Sequence, residues 1–248
     1  EGRAIRESGP QINLSESLTR VPGVAVLNRQ NYAQDLQMSI RGYGARSTFG
    51  IRGVRLLVDG IPATMPDGQG QVSTISLPSA SRIEVLRGPL AQLYGNAAGG
   101  VVQVFTRDGP AIPEASVDIG FGSYGLRRYG VSGGGQFGKL NFYADYTDFR
   151  IDGYRDHSAA QRRQFNAKLR YDVSDATSVT LVANVFDQPM SQDPLGLTRL
   201  QYEQNPRQVA PIALSQNSGK TVSQQQVGLT FSHRFDDTST LTGRVYQG

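Results

Sequence analysis

Between Val117 and Val245, apolar and polar residues alternate in seven separate runs, and this pattern restricts the second half of the chain to antiparallel β-structure. Val117, Ile119 and Phe121 open the series, and Tyr129, Val131 and Gly133 form a weaker run. Leu140 to Tyr146, Phe165 to Tyr171, Val179 to Val185, Val227 to Phe235 and Leu241 to Val245 continue it. Successive side chains of a strand point to opposite faces, so each run has one apolar and one polar face. The polar faces carry Asp145, Lys168, Arg170 and Arg234. Lipid does not tolerate such charges near its midplane, so these four are expected to face a lumen.

The connections between runs show a second regularity. Those at 136–139, 172–177 and 236–239 are short, whereas 151–161 and 187–223 are long. Short and long alternate, as they must when all turns of one kind lie on one side of a membrane. A soluble antiparallel sandwich also alternates along its strands, but it has no reason to segregate its loops. The run from Leu140 to Arg150 has 11 residues, within the ~9–11 that a tilted spanning strand needs.

The first half follows different rules. Leu14, Leu18 and Val21 share one face of a short helix starting at Ser15, which Pro22-Gly23 stops. Val54 to Val58 is a strand and Asp59-Gly60 a turn dipeptide. Ile83 to Leu86 and Val101 to Phe105 are further strands, separated by Gly88-Pro89 and by a glycine cluster from Tyr94 to Gly100, where backbone can approach backbone. Gly109, Pro110 and Pro113 punctuate the change of character. We therefore expect a small α/β domain over 1–109, a linker over 110–116, and sheet strands over 117–248.

Composition excludes several classes. No apolar run approaches the ~18–20 residues of a helical membrane span, and the mean hydropathy is −0.36. With no cysteine in 248 residues, thiolate metal sites are ruled out, and His157 and His233 are too far apart for a recognisable zinc pattern. The formal charge of +4 comes from arginines spread along the chain, which argues against a nucleic-acid surface. Glu1-Gly2-Arg3 does not open a signal peptide, so a mature or trimmed sequence is expected. Gly95 to Gly100 lacks the lysine and hydroxyl residue of a phosphate loop. Asp59 with Asp67 has the look of a hydrolytic carboxylate pair, but Asp59 sits in a turn dipeptide and needs no catalytic reading, and Ser15, Ser47 and Ser73 have no histidine at a credible spacing. No catalytic residue, metal ligand or intrinsic cofactor is assigned.

Several stretches of the first half resemble the plug domain of TonB-dependent outer-membrane receptors. They are LSESLTRVPGV from Leu14, SIRGYG from Ser39, RLLVDGIP from Arg55 and, most diagnostic because it is long and gap-free, IEVLRGPLAQLYGNAAGG from Ile83. The wording from Asn31 to Leu36 and from Met65 to Gln71 resembles an iron or siderophore transporter branch of that family. The resemblance implies a mixed α/β plug domain followed by antiparallel transmembrane β-barrel strands, in a family whose barrel has 22 strands. Some seven strands here would be the start of that wall. The family's coupling box would precede Glu1, and Glu1 to Gln11 shows no version of it.

By the same resemblance the chain is a receptor that binds a scarce nutrient, foremost a ferric siderophore, and imports it with energy transduced by TonB and its inner-membrane motor proteins. It implies a monomer in the bacterial outer membrane, in contact with lipid and lipopolysaccharide, with a ferric chelate as cargo and no enzymatic step. The rival is an outer-membrane adhesin or a passive porin-type barrel. Ligand contacts would come from two plug apices: Tyr43, Arg46, Ser47, Thr48 and Phe49 on one, Met65, Asp67, Gln69 and Gln71 on the other. Arginine beside tyrosine suits an anionic chelate through charge-assisted bonds and stacking. Asn205, Arg207, Gln216 and Asn217 on the long loop suit a polar ligand equally well. Arg41 and Arg87 fall in the blocks whose arginines pair with carboxylates of the wall in that family.

Overall fold

The computed structural model describes residues 2–28, 30–47, 50–64, 68–70, 72–88, 93–95 and 97–248. The first half begins with α1 (Gly2–Arg6) and α2 (Ser15–Leu18). Glu16 folds the approach to α2 back on itself, because its carboxylate accepts from the backbone amides of Gln11, Ile12 and Asn13 at 2.6–3.0 Å. Leu14 and Leu18 bury the inner face of that turn. β1 (Val24–Leu27) then pairs antiparallel with β2 (Gln37–Ile40).

β3 (Val54–Val58) and β4 (Ile61–Pro62) are joined by Asp59-Gly60, whose φ values of +49° and +78° give the primed turn that matches strand twist. β5 (Ala80–Leu86) and β6 (Gly100–Thr106) complete a four-stranded sheet of order β4-β3-β6-β5, in which only β3 and β6 run parallel. Its apolar faces bury Val54, Leu56, Val102 and Val104 against Leu14, Leu18, Met38 and Ile40. The glycine cluster marks a close approach: a Cβ on Gly100 would stand 2.6 Å from the Leu86 carbonyl, and one on Gly99 2.7 Å from the Tyr43 Cβ.

The second half is one seven-stranded sheet, referred to below as the wall: β7 (Glu114–Gly122), β8 (Leu126–Phe137), β9 (Leu140–Ile151), β10 (Ala160–Ser174), β11 (Thr177–Ser191), β12 (Val222–Arg234) and β13 (Thr240–Gln247). Every strand pairs antiparallel with its sequence neighbour. The seven alternating runs lie inside these strands, except that Phe235 falls one residue past the end of β12. Outer positions such as Val117 and Phe121 are 72 % and 71 % exposed. Inner positions such as Asp145 and Asn166 are buried against the first half. Among the described residues no helix is long and apolar enough to cross a membrane.

The loop asymmetry is graded rather than uniform. On the long side, the first connection (123–125) is a tight turn with Tyr124 and Gly125 at φ +60° and +70°, the next is 152–159, and the third is 192–221. The third is shorter than the alternation alone suggests, because β11 runs on to Ser191 and β12 starts at Val222. This loop carries α3 (Arg199–Gln204) and α4 (Pro211–Ser215). Thr198 and Gln201 form a reciprocal capping box at the start of α3.

Candidate functional site: the seat between the N-terminal unit and the wall

The register of the wall places four polar side chains next to one another on its inner face. Asp145 of β9 pairs with Asn166 of β10, Asn166 with Asn184 of β11, and Asn184 with Gln226 of β12. They form a polar belt whose first three members are hydrogen-bonded: Asn166 donates to Asp145 at 3.3 Å, and Asn184 donates to Asn166. The N-terminal unit rests on this belt. Ser76 donates to Asp145 at 3.2 Å, Asn184 donates to the Thr74 carbonyl at 3.3 Å, and Gln226 donates to the Pro62 carbonyl at 3.0 Å. Gln164, one inward position away on β10, donates to the Thr74 carbonyl at 2.7 Å. Backbone carbonyls that leave a sheet need such partners when buried. Asp145, Arg107 and Arg128 also line one polar cleft of about 350 Å³ between the two halves.

Ion pairs fix the seat at both ends. Toward the short turns, Lys168 lies 2.9 Å from Asp108 and 3.9 Å from Asp59, while Arg170 reaches Asp108 at 3.3 Å. Asn141 clasps the segment between the halves, accepting from the Gly109 amide and donating to the Gly109 carbonyl, both at 2.8 Å. A Cβ on Gly109 would lie 2.1 Å from the Phe142 carbonyl, so only glycine fits there.

Toward the long loops, Lys220 Nζ is 2.6 Å from Asp35 Oδ1. Asn31 donates to Asp193 at 2.8 Å, and Gln34 donates to its other oxygen. Both ends of the 192–221 loop are therefore tied to the segment from Asn31 to Asp35. Arg155 holds the loop together by donating to the carbonyls of Pro194, Leu195 and Gln208. Burial lowers the Arg155 pKa, with the Asp193 carboxylate acting in the opposite direction.

Hydrogen bonds and ion pairs thus tie the two halves together along the belt and at both ends of the seat. A net contribution of about 1 kcal/mol per hydrogen bond makes such a seat specific yet separable in steps.

The ion pairs between the two halves share one charge pattern. In each one the wall or its long loop supplies the cation and the N-terminal unit or its connecting segment the carboxylate. Arg41 and Arg87 are exposed and form no ion pair among the described residues. Arg87 donates to the Pro22 carbonyl, and the Arg41 amide donates to the Gly23 carbonyl at 3.0 Å. Of the four lumen charges read from the sequence, Asp145, Lys168 and Arg170 contact the N-terminal unit or its connecting segment. Arg234 instead reaches the Asp175 carbonyl at the short-turn end, 3.4 Å away.

Of the apex residues, Thr48, Phe49, Met65, Asp67 and Gln71 lie outside the described residues. Tyr43 and Arg46 are exposed, and Ser47 donates to the Gly50 carbonyl at 2.8 Å. The two segments meet: Ile51 and Gly70 exchange backbone bonds at 3.2 and 2.7 Å, and Arg52 donates to Gln69 at 3.2 Å. On the long loop, Arg207 stands 5.7 Å from the centre of the Tyr154 ring. Asn205 caps α3, and Asn217 sits in a turn at φ +47°. The sequence reading missed Arg162, Gln188, Asn166 and Asn184. The only sequence trace of the latter pair is an amide on the polar face of each of two neighbouring runs.

Residues 2–101 match the family model described as TonB-dependent Receptor Plug Domain. The chain is 29 % identical over 177 residues to the ferrienterobactin receptor of Escherichia coli, covering 65 % of this chain and 23 % of that protein. It is 36 % identical over 129 residues to the vitamin B12 transporter BtuB of Photobacterium profundum, covering 51 % and 20 %. The chain thus spans about a quarter or less of these relatives. Among solved structures, the siderophore receptor PirA from Acinetobacter baumannii superposes with a TM-score of 0.74 at 20 % identity, covering 99 % of this chain and 38 % of that one. The unliganded ferric citrate transporter FecA gives 0.75 at 23 % identity, covering 94 % and 37 %.

Proposed function

We propose that this chain belongs to the TonB-dependent receptor family, whose plug-domain model its residues 2–101 match, and that the whole protein imports a ferric siderophore across the bacterial outer membrane. In this reading residues 1–109 are the plug, 110–116 the linker and 117–248 the first strands of the barrel wall. The strands cross the membrane with their apolar outer face in lipid, and the long loops lie outside the cell. TonB, driven by its inner-membrane motor, pulls on the plug; the protein carries no catalytic step and works as a monomer.

The observation that carries this reading is the polar seat. A plug meant to block the lumen permanently would bury apolar surface against the wall. This one is held by hydrogen bonds and part-buried ion pairs, which water can replace as the plug shifts. The names of the relatives support the cargo, since three of the curated proteins similar to this chain are enterobactin receptors. On this proposal the joined apices supply ligand contacts through Tyr43, Arg46, Ser47, Thr48, Phe49, Met65, Asp67, Gln69 and Gln71. Arg41 and Arg87 pair with carboxylates on parts of the wall other than β7–β13.

Iron-55 uptake into iron-starved cells expressing the full-length receptor tests the reading. Uptake of ferric siderophore that disappears when TonB is deleted supports it. Conductance or adhesion that persists without TonB, with no iron uptake, overturns it in favour of a passive barrel or adhesin.

A further inference from the structure

On the outer face of the wall, just beyond the apolar band on the long-loop side, three arginines stand on three neighbouring strands. Arg127 of β8 is directly opposite Arg150 of β9, and Arg163 of β10 is directly opposite Asp148 of β9. Their direction follows from alternation. Arg128, Phe149 and Arg162 beside them are buried on the inner face, so Arg127, Arg150 and Arg163 point away from the lumen. The side chains of Arg150 and Arg163 are 56 % and 44 % exposed.

Local carboxylates neutralise only part of this charge. Asp148 accepts from Arg150 Nε at 3.0 Å and from Arg163 Nε at 3.4 Å, and Asp187 lies 3.8 Å from Arg163. Gln161, its amide oxygen turned toward the guanidinium groups, accepts from Arg163 at 2.9 Å and Arg150 at 3.2 Å. Arg127 has no ion pair among the described residues, and its cross-strand partner is another cation. Like charges directly opposite on a sheet destabilise it unless an anion lies between them.

An apolar surface adjoins the cluster. Ile119 of the neighbouring β7 and Tyr129, Val131, Tyr146 and Phe165 of the same three strands face outward toward the short turns, each at least 39 % exposed. We propose that Arg127 and Arg150, with Arg163 beside them, hold the phosphate group of an outer-leaflet lipid whose acyl chains lie along this apolar face. Guanidinium groups bind phosphate oxygens in bidentate pairs, and two on adjacent strands form a fork for one phosphate. A free anion would have no use for the apolar surface below the fork. The proposal rests on the reading that the wall spans the outer membrane with its long loops outside.

The test uses the full-length receptor in phosphatidylcholine nanodiscs containing either bisphosphorylated lipid A or its phosphate-free form, with retained lipid counted by native mass spectrometry. The wild type is expected to retain the bisphosphorylated form selectively, and R127Q/R150Q to lower that retention by about tenfold. R199Q, on the exposed long loop, should leave it unchanged. Equal retention by R127Q/R150Q, or equal retention of the phosphate-free lipid, overturns the site. Complete displacement by inorganic phosphate makes it a soluble-anion site and overturns the lipid assignment. Failure of the wild type to fractionate with the outer membrane overturns the underlying reading of the wall instead.

Discussion

Arg162 of the wall places its guanidinium 4.9 Å from the centre of the Tyr32 ring of the plug, while Tyr32 meets Phe149 at a centroid distance of 5.2 Å. The same guanidinium donates to Gln188 at 2.8 Å and to Asn13 at 3.1 Å. One buried wall cation thus joins two plug segments 19 residues apart in sequence. Arg162→Ala removes the cation–π contact and leaves Gln188 and Asn13 short of a donor. We expect plug docking to weaken by roughly 2–4 kcal/mol. Amide exchange over residues 31–36 should then accelerate, and unaltered protection there would refute the role.

Tyr32 also predicts a spectroscopic signature. Burial raises its pKa above the ordinary 10.0, the nearby Arg162 charge opposing. A phenol that ionises later when folded contributes stability that is fully present below the unfolded pKa and is lost as pH rises through the folded value. The wild-type minus Tyr32→Phe difference in phenolate absorbance should titrate above pH 10. A midpoint at or below the ordinary value would mean that the ring is solvated.

Ser76 is one of the direct links between the plug and the belt. Ser76→Ala removes one hydrogen bond to Asp145, and the expected loss is about 1 kcal/mol. The force needed to extract the plug in a single-molecule pull should fall, while the unfolding of the barrel stays as it was. A barrel destabilised to the same degree would place Ser76 in general packing rather than in the seat.

The Lys220–Asp35 pair ties the base of the long loop to the plug. Its side chains are 31 % and 18 % exposed, so the coupling is moderate, about 0.5–1 kcal/mol, and weaker in high salt. A double-mutant cycle with Lys220→Glu and Asp35→Lys should recover part of the loss in the swapped pair. Strict additivity of the two single changes would show that the charges do not interact.

Asn141 holds both backbone groups of Gly109, and its replacement leaves two partly buried polar groups unpaired. Asn141→Ala is expected to destabilise by roughly 2–4 kcal/mol, and Gly109→Ala to be at least as severe because of the clash with Phe142. Melting temperatures of the purified receptor would measure both. A neutral Gly109→Ala would show that the 107–113 segment can move away from the wall.

The sheet was largely legible in the sequence because burial on one face imposes a period of two, as Phe165, Ala167, Leu169 and Tyr171 illustrate. The plug core was legible for a related reason, since Leu14, Leu18, Val54 and Leu56 are apolar wherever the fold is dry. The belt was not. Asp145, Asn166, Asn184 and Gln226 become neighbours only through strand register, which turn geometry and bulges set. Each is ordinary within its own run. The direction of the ion pairs was hidden for the same reason: Lys168 meets Asp59 and Asp108 across the lumen, at sequence separations that no local pattern spans. The capping box at Thr198 and Gln201 was readable from spacing, but it lies in a loop whose polar composition drew attention to ligands instead.

The nearest-neighbour order of β7 to β13 bears on how the molecule is made. Each new wall strand needs only the strand just before it, so the sheet can grow by successive hairpins with little loop-closure entropy at each step. The plug sheet is different, because its parallel β3–β6 pair brings together segments separated by more than 40 residues. A slow-closing plug precedes a fast-zipping wall along the same chain. The belt residues arrive one per strand, so the wall assembles its grip on the plug in the order in which its strands are laid down.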